Sequence, residues 1–281
     1  MRKYTFVTVA HHVDYEALCL QARSMAKYLP VELIAEIIVI DNDLRGPPRS
    51  HLMRQYGKLA KFVRLIDRRE VSAPEVFKAH GWFGQQILKL EIAKLVQTDR
   101  YVVLDAKNTM VYPLRRDFLE NSKGEPRLFQ IDYTRHSSRR WLRNSVAYWG
   151  IADPTKWFVP TVTPFTLITD LVKHAMDAAV AKDKVPFHQL FIENHLTEFF
   201  FYACYLRKTG QMCYDWSGPE CKIVFNTTSC DAFVTSFLQR TQAKHLPFFS
   251  LHRGAKLSAK GKALVWRFWR SRGLRSGVPW S

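Results

Sequence analysis

The chain has 281 residues, 47% hydrophobic and 14% aromatic, and its 42 Lys+Arg against 25 Asp+Glu give a net charge of +17. That size and apolar content support a sizeable core, in one large domain or two small ones, and exclude a mainly disordered chain. Ordinary Gly (12) and Pro (13) contents exclude collagen-like and low-complexity architectures, and no apolar run reaches the roughly 18 residues of a bilayer-spanning helix.

The opening stretch, MRKYTFVTVAHHVDYEAL, begins like a secretory leader. Its apolar part is short and runs into His11, His12 and Asp14 instead of a small-residue cleavage site. It reads as the first core strand, over 4–10, of a cytosolic protein. A helix over 15–29 follows, with Asp14 as its expected N-cap. Residues 33–40 (LIAEIIVI) predict a β-branched strand ending at Asp41 and Asn42, and 61–66 a shorter one. Residues 82–96 predict a helix with Leu88, Ile92 and Leu95 on one side. YVVL over 101–104 reads as a buried strand ending at Asp105, and 127–131 as another ending at Asp132. The second half is less regular, with helices over 139–150, 169–181 and 189–209 and a strand over 161–168.

Strands alternating with helices imply an α/β fold, a mostly parallel sheet with helices on both faces. Ligands of such sheets bind outside the carboxyl ends of the strands. Here those ends carry His11/His12, Asp41/Asn42, Asp105 and Asp132. Singly, each is an ordinary cap or turn residue; four in succession predict a binding cleft. We read one compact domain over 1–255 and an appended tail over 256–281.

The five cysteines (Cys19, Cys204, Cys213, Cys221, Cys230) are odd in number and form no CxxC pair. Structural zinc sites draw ligands from tight turns that are missing here, so buried free thiols in a reducing cytosol are expected. From Arg253 onward there are eight Lys/Arg and no Asp/Glu, together with Trp266, Trp269 and Trp280. On a helix, Leu257, Leu264, Val265 and Phe268 share one face, beside an arc of Lys256, Lys260, Arg267 and Arg270. Two readings stand. A basic aromatic helix suits an anionic membrane surface, where each cation contributes roughly 1 kcal/mol. Alternatively, the helix packs on the domain and leaves its basic face solvated. No basic-aromatic motif of a nucleic-acid reader is present, so no nucleic-acid partner is expected.

Taken in order, VTVAHHVDYEAL, EIIVIDN, GWFGQQILKLEIA, YVVLDAKNTMVYPL, TEFFFYACYL and FFSLHRGA resemble the GT-A-type glycosyltransferases. They more closely resemble a bacterial glycosyltransferase-like group of unassigned activity. The resemblance covers roughly residues 3–255, and GWFGQQILKL followed by a strand and LDA is its most specific part. It implies a GT-A-like, Rossmann-type sheet with a helical C-terminal extension. It also implies transfer of a sugar from a UDP- or GDP-sugar donor to a glycan or lipid-linked acceptor, in bacterial surface polysaccharide or lipopolysaccharide synthesis. The enzyme would be cytoplasmic and peripheral on the inner face of the plasma membrane.

GT-A enzymes hold a divalent cation through Asp-x-Asp at a strand end, with hard oxygen ligands that suit Mg²⁺ or Mn²⁺. The matching segment here is Asp105-Ala106-Lys107-Asn108, with lysine in place of the second aspartate. Three readings follow. Lys107 supplies the charge that neutralises the diphosphate, and no metal is required. Or Asp105 and Asn108 hold the metal, with His252 as a further ligand. Or the activity is lost, leaving a nucleotide-sugar or polyanion binding module. His252 matches a C-terminal histidine that the resembling enzymes set against metal or diphosphate, and Arg253 beside it is a phosphate partner.

Glu198 matches an acidic residue followed by aromatics and is the expected general base of an inverting transfer; Glu193 and His195 are nearby alternatives. Retaining transfer needs no such base, and both stereochemistries stay open. Gln86 and Lys89 share a helix face, where they either reach the donor or form a solvated polar surface. His11, His12 and Asp41 fall where the nucleoside is held. Tyr133, Trp141 and Trp149 either stack on sugar rings or pack in the core. A sugar nucleotidyltransferase or a Rossmann dehydrogenase would need a glycine-rich loop after the first strand, and AHHVDYEAL contains no glycine.

Overall fold

The computed structural model describes residues 2–43, 49–77, 81–154 and 156–274. The strands are β1 (Tyr4–Ala10), β2 (Ile34–Asp41), β3 (Val63–Asp67), β4 (Arg100–Asp105), β5 (Asn108–Met110), β6 (Ile131–Asp132), β7 (Trp157–Phe158), β8 (Phe165–Ile168), β9 (Lys222–Val224) and β10 (Phe248–Leu251). The helices are α1 (Tyr15–Tyr28), α2 (Arg49–Tyr56), α3 (Arg68–Val71), α4 (Gly81–Glu91), α5 (Arg116–Leu119), α6 (Arg139–Trp149), α7 (Thr169–Asp183), α8 (Phe187–Glu193), α9 (Glu198–Thr209), α10 (Asp231–Ala243) and α11 (Ala259–Ser271). The architecture is α/β, with a mostly parallel central sheet flanked by helices. Contacts divide the chain into two units: Met1–Ile66, Leu104–Phe118 and Pro219–Ser281 form the first, and Asp67–Val103 with Leu119–Gly218 the second.

In the first unit the strands lie in the order β3-β2-β1, followed by the C-terminal end of β4. Every residue of β1 is buried, which its unbroken run of apolar residues and threonines tolerates because helices cover both faces. β1 and β2 are parallel, with Ala10 opposite Asp41. That register brings the residues after β1 and those after β2 side by side. The buried Gln21 of α1 ties the sheet edge together: its carbonyl accepts from the Thr8 hydroxyl at 3.0 Å, and its amide donates to the Asp105 carbonyl at 2.7 Å. A second, three-stranded sheet runs β5-β10-β9. β10 is antiparallel to β5, with Ser250 opposite Asn108, and parallel to β9.

The tail helix α11 belongs to this unit's core. Val265, Phe268 and Trp269, at helical spacing, pack with Leu20, Val111 and Phe249. Ser258 caps the helix by accepting from the Gly261 N–H at 2.9 Å, and its hydroxyl donates to Asp231 at 2.6 Å. A Cβ on Gly261 would lie 3.0 Å from that carboxylate, so glycine permits the close approach to α10. Lys27 and the Tyr28 hydroxyl donate to the Arg272 carbonyl at 2.7 and 2.8 Å. The apolar face thus faces inward, Trp266 is half-buried, and Lys260, Lys262, Arg267 and Arg270 are exposed. Trp280 lies outside the described residues.

In the second unit, Arg100–Val103 of β4 pairs antiparallel with β8. The aromatic helix α9 is buried from Glu198 through Cys204. Phe199 stacks on Phe165 with centroids 4.1 Å apart, and the Trp149 indole donates to the Phe201 carbonyl at 2.9 Å.

Three sequence expectations need correction. Residues 189–209 are two helices. After α8, His195 takes a left-handed φ of 49°, its N–H bonds the Ile192 carbonyl and that of Leu196 bonds Phe191. This is a Schellman stop, and α9 restarts at Glu198. Residues 127–131 hold only the first residue of the two-residue β6, which pairs with β7. Pro126 and Arg127 make isolated bridges to Glu120 and Asp215 instead. Asp132 therefore does not end a strand of the central sheet; its exposed carboxylate accepts from the Thr134 N–H at 2.8 Å and closes a turn. The cysteines are free but not all buried as expected: Cys19, Cys204 and Cys221 are buried, whereas Cys213 and Cys230 are exposed.

Candidate active site

In the first unit, chemistry collects where strands end. The parallel register sets His11 and His12, after β1, beside Asp41, the last residue of β2, and Asp43 just beyond it. The His12 N–H donates to Asp43 Oδ2 at 3.2 Å, and the His12 imidazole contacts the same oxygen. His11 Nε2 is 3.3 Å from it. A small pocket adjoins this group, with Leu18, Val39 and Leu65 as its apolar wall and His11, His12 and Asp41 as its polar rim.

The turn after β4 carries Asp105 and Lys107. Asn108 brackets it: its carbonyl accepts from the Asp105 N–H at 2.7 Å, and its amide donates to the Ser250 hydroxyl at 2.8 Å. Asn108 is fully buried, so it shapes the turn from beneath. The Lys107 ammonium lies 2.5 Å from Asp105 Oδ2, and both side chains are about one-fifth exposed (19% and 23%). Extending the β5–β10 register by two residues brings His252 opposite this turn. His252 stands beside Phe225, with ring centroids 5.4 Å apart. Desolvation of its ring and the nearby Lys107 ammonium hold its imidazole below the ordinary value. Arg253 reaches Asp14 at 3.7 Å. Asp14 makes no capping bond to α1; it faces this basic corner instead.

This donor set does not fit a hard divalent cation at Asp105. Such an ion wants several carboxylate or carbonyl oxygens. Here one carboxylate of the corner is paired with Lys107 and the other faces Arg253, so the two charges a metal would bring are already present as side chains.

The second unit holds a separate cluster. Glu198, the first residue of α9, receives Lys89 Nζ from α4 at 3.1 Å, and both side chains are buried (6% and 5% exposed). The Gln86 amide, its nitrogen turned towards Glu198, donates to the same carboxylate at 3.0 Å. Gln86 and Lys89 are thus not a solvated polar face. The Phe199 ring lies 5.7 Å from the ammonium, and the N-terminal end of α9 favours the carboxylate. Glu193 and His195 are exposed on the stop between α8 and α9. Of the three aromatics considered for stacking, Tyr133 and Trp149 are core residues, with polar atoms bonded to the carbonyls of Val159 and Phe201. Trp141 is half-buried beside the exposed Trp82, with centroids 5.0 Å apart.

Asp14, Gln21 and Asp43 are additional residues of these clusters. By sequence Asp14 is only an N-cap and Asp43 is not singled out, although an acidic residue two places after Asp41 is a local signal for it.

A family profile, described as a family of unknown function (DUF6492), matches residues 5–232. The chain belongs to this family. No curated protein matches the sequence. Among solved structures, the galactosyltransferase LgtC, bound to donor and acceptor sugar analogues, is similar over 95% of this chain and 99% of its own, with 13% identity and a TM-score of 0.50. An active-site mutant of LgtC gives 14% identity and a TM-score of 0.51 over the same shares. The bifunctional glycosyltransferase WbbM, in its apo form, gives 12% identity and a TM-score of 0.54 over 96% of this chain and 51% of its own. At these identities the likeness is one of fold, and that fold is the GT-A glycosyltransferase type.

Proposed function

We propose that the protein is a glycosyltransferase that moves a sugar from a nucleotide-sugar donor to a glycan or lipid-linked acceptor, and that it does so without a divalent metal at Asp105. The observation that carries this reading is the Lys107 ammonium 2.5 Å from Asp105 Oδ2, in the turn after β4, where GT-A enzymes hold their cation. Loss of a nucleoside diphosphate leaves charge on its oxygens. Fixed cations stabilise that charge without reorganising as it forms. Lys107 and Arg253 are the fixed cations, and His252 supplies a further hydrogen-bonding group. Asp105 orients Lys107, and Asn108 holds the turn beneath both. The pocket beside His11, His12 and Asp41 takes the nucleoside, its apolar wall against the base and its polar rim towards the ribose.

Glu198 remains the candidate base for an inverting reaction, with Lys89 and Gln86 as its positioning partners. Attachment to an anionic membrane would rest on the exposed cations of α11 alone, at roughly 1 kcal/mol each near the surface, because its apolar face is in the core. The role in bacterial surface polysaccharide synthesis and the cytoplasmic, peripheral location belong to this proposal.

A thermal-shift and transfer screen of UDP- and GDP-sugars, each in EDTA and in Mn²⁺, tests it. A donor that binds only the folded chain raises its melting temperature. The reading expects one donor to give a shift and sugar transfer in EDTA, and Lys107→Ala to abolish both. A donor response only with Mn²⁺ would refute the metal-free mechanism. Binding without transfer to any acceptor would favour the alternative, a nucleotide-sugar binding module.

A further inference from the structure

Two imidazoles and a carboxylate converge at the ends of β1 and β2, and the function above uses the imidazoles only as the rim of a pocket. We propose that His11, His12 and Asp43 form a binding site for a zinc-class divalent cation, independent of any sugar transfer. Among the described residues, this is the single group of three metal-capable side chains whose ligand atoms all lie within 4.8 Å of one another. The backbone builds it. The Ala10–Asp41 register aligns the two strand ends, the His12 N–H donates to Asp43 Oδ2 at 3.2 Å, and the Asp43 N–H donates to Asp41 at 3.2 Å.

Bonds of roughly 2.0–2.2 Å place neighbouring ligands of a tetrahedral ion about 3.3 Å apart. His11 Nε2 stands at that separation, 3.3 Å, from Asp43 Oδ2; the His12 imidazole contacts the same oxygen more closely and would rotate outward to share an ion. The Asp43 side chain is 7% exposed, whereas the imidazoles are 31% and 35% exposed. The carboxylate is shielded and the imidazoles are reachable, so a bound ion has three protein ligands and an open side. Two nitrogens and one oxygen select Zn²⁺, Co²⁺ or Ni²⁺ over Mg²⁺ and Ca²⁺.

The full chain, stripped with a chelator, is titrated with Co²⁺ and read by visible absorption and by metal content. The expected result is about one Co²⁺ per chain, with the ligand-field bands of nitrogen and oxygen ligation, displaced by Zn²⁺. Asp43→Asn, which is nearly isosteric, and His12→Gln should each weaken binding by at least about tenfold; their melting in EDTA reports that they fold. Asp105→Asn should bind Co²⁺ like the parent. No stoichiometric binding, or equal binding by Asp43→Asn and His12→Gln, overturns the site. Loss of binding in Asp105→Asn moves the metal to the other corner and overturns it as well. The assay contains no donor, so sugar transfer can fail while this site stands, and the reverse.

Discussion

Removing the charge of Glu198 separates a structural carboxylate from an ordinary surface one. Lys89 Nζ is 3.1 Å from Glu198 Oε1, and both side chains are almost wholly buried. With an effective dielectric of about 20, the attraction at that distance is roughly 5 kcal/mol. Breaking a buried pair by neutralising one partner typically costs about 3–5 kcal/mol, because the other charge stays desolvated. Glu198→Gln should therefore destabilise the protein by about 3–5 kcal/mol, a large share of the roughly 5–15 kcal/mol available to a domain. Lys89→Met should cost a similar amount. The double variant Lys89→Met/Glu198→Leu removes both charges and replaces them with apolar volume, a change that is often close to neutral. It should regain most of the loss. Urea denaturation of the parent, both single variants and the double variant reads the coupling directly. A Glu198→Gln variant within about 1 kcal/mol of the parent would refute the claim that this pair organises the α4–α9 contact. Transfer activity of the folded double variant then separates support from catalysis: a base role predicts lost activity despite recovered stability.

Four further outcomes are expected. Lys107→Asp restores an Asp-x-Asp segment, so donor binding should become at least about tenfold, or about 1.4 kcal/mol, tighter in Mn²⁺ than in EDTA; calorimetry showing no metal dependence would contradict the charge-replacement argument. Burial first, and Lys107 second, depress the His252 pKa; an NMR titration should find its midpoint below the ordinary value near 6.5 and find it raised by Lys107→Met. His136 is depressed by burial as well, and both groups bind protons more readily in the unfolded chain. Their contribution to stability is therefore full above about pH 6.5 and falls as the pH drops towards the folded values; a melting temperature that rose on acidification through that range would contradict this. Phe268→Ala on α11 should cost about 3–5 kcal/mol and lower the melting temperature by roughly 10 °C, whereas Lys260→Glu with Arg267→Glu on the exposed face should leave it nearly unchanged; calorimetry checks both.

The sequence made the parallel core legible because burial on both faces leaves a one-dimensional mark. YTFVTVA and LIAEIIVI can hardly sit anywhere but between helices, and their polar successors then mark the sheet edge. Where a segment's structure depends on partners distant in the chain, the pattern was mute. Residues 189–209 carry helix formers throughout, and nothing in their periodicity announces that His195 turns left-handed and stops α8. Residues 127–131 look like a strand by composition, but a ladder needs a neighbour, and only β7 is available, for two residues.

The same distinction governs the candidate site. Asp105, Lys107 and His252 stood out because each follows a strand, and a strand end can be read locally. What those residues do depends on charge at a distance. A lysine two places after an aspartate reads equally as a lost ligand or as a replacement charge; the 2.5 Å contact between them favours the second, because an ammonium beside that carboxylate opposes a metal there. Glu198 shows the reverse case. By sequence it is an acid at a helix start, open to solvent or substrate, yet α4 brings Lys89 and Gln86 against it from about a hundred residues away. Its carboxylate therefore already accepts hydrogen bonds from buried donors. Any acceptor hydroxyl it deprotonated would have to compete with them, and this is why stability and activity must be measured on the same variants before Glu198 is called a base.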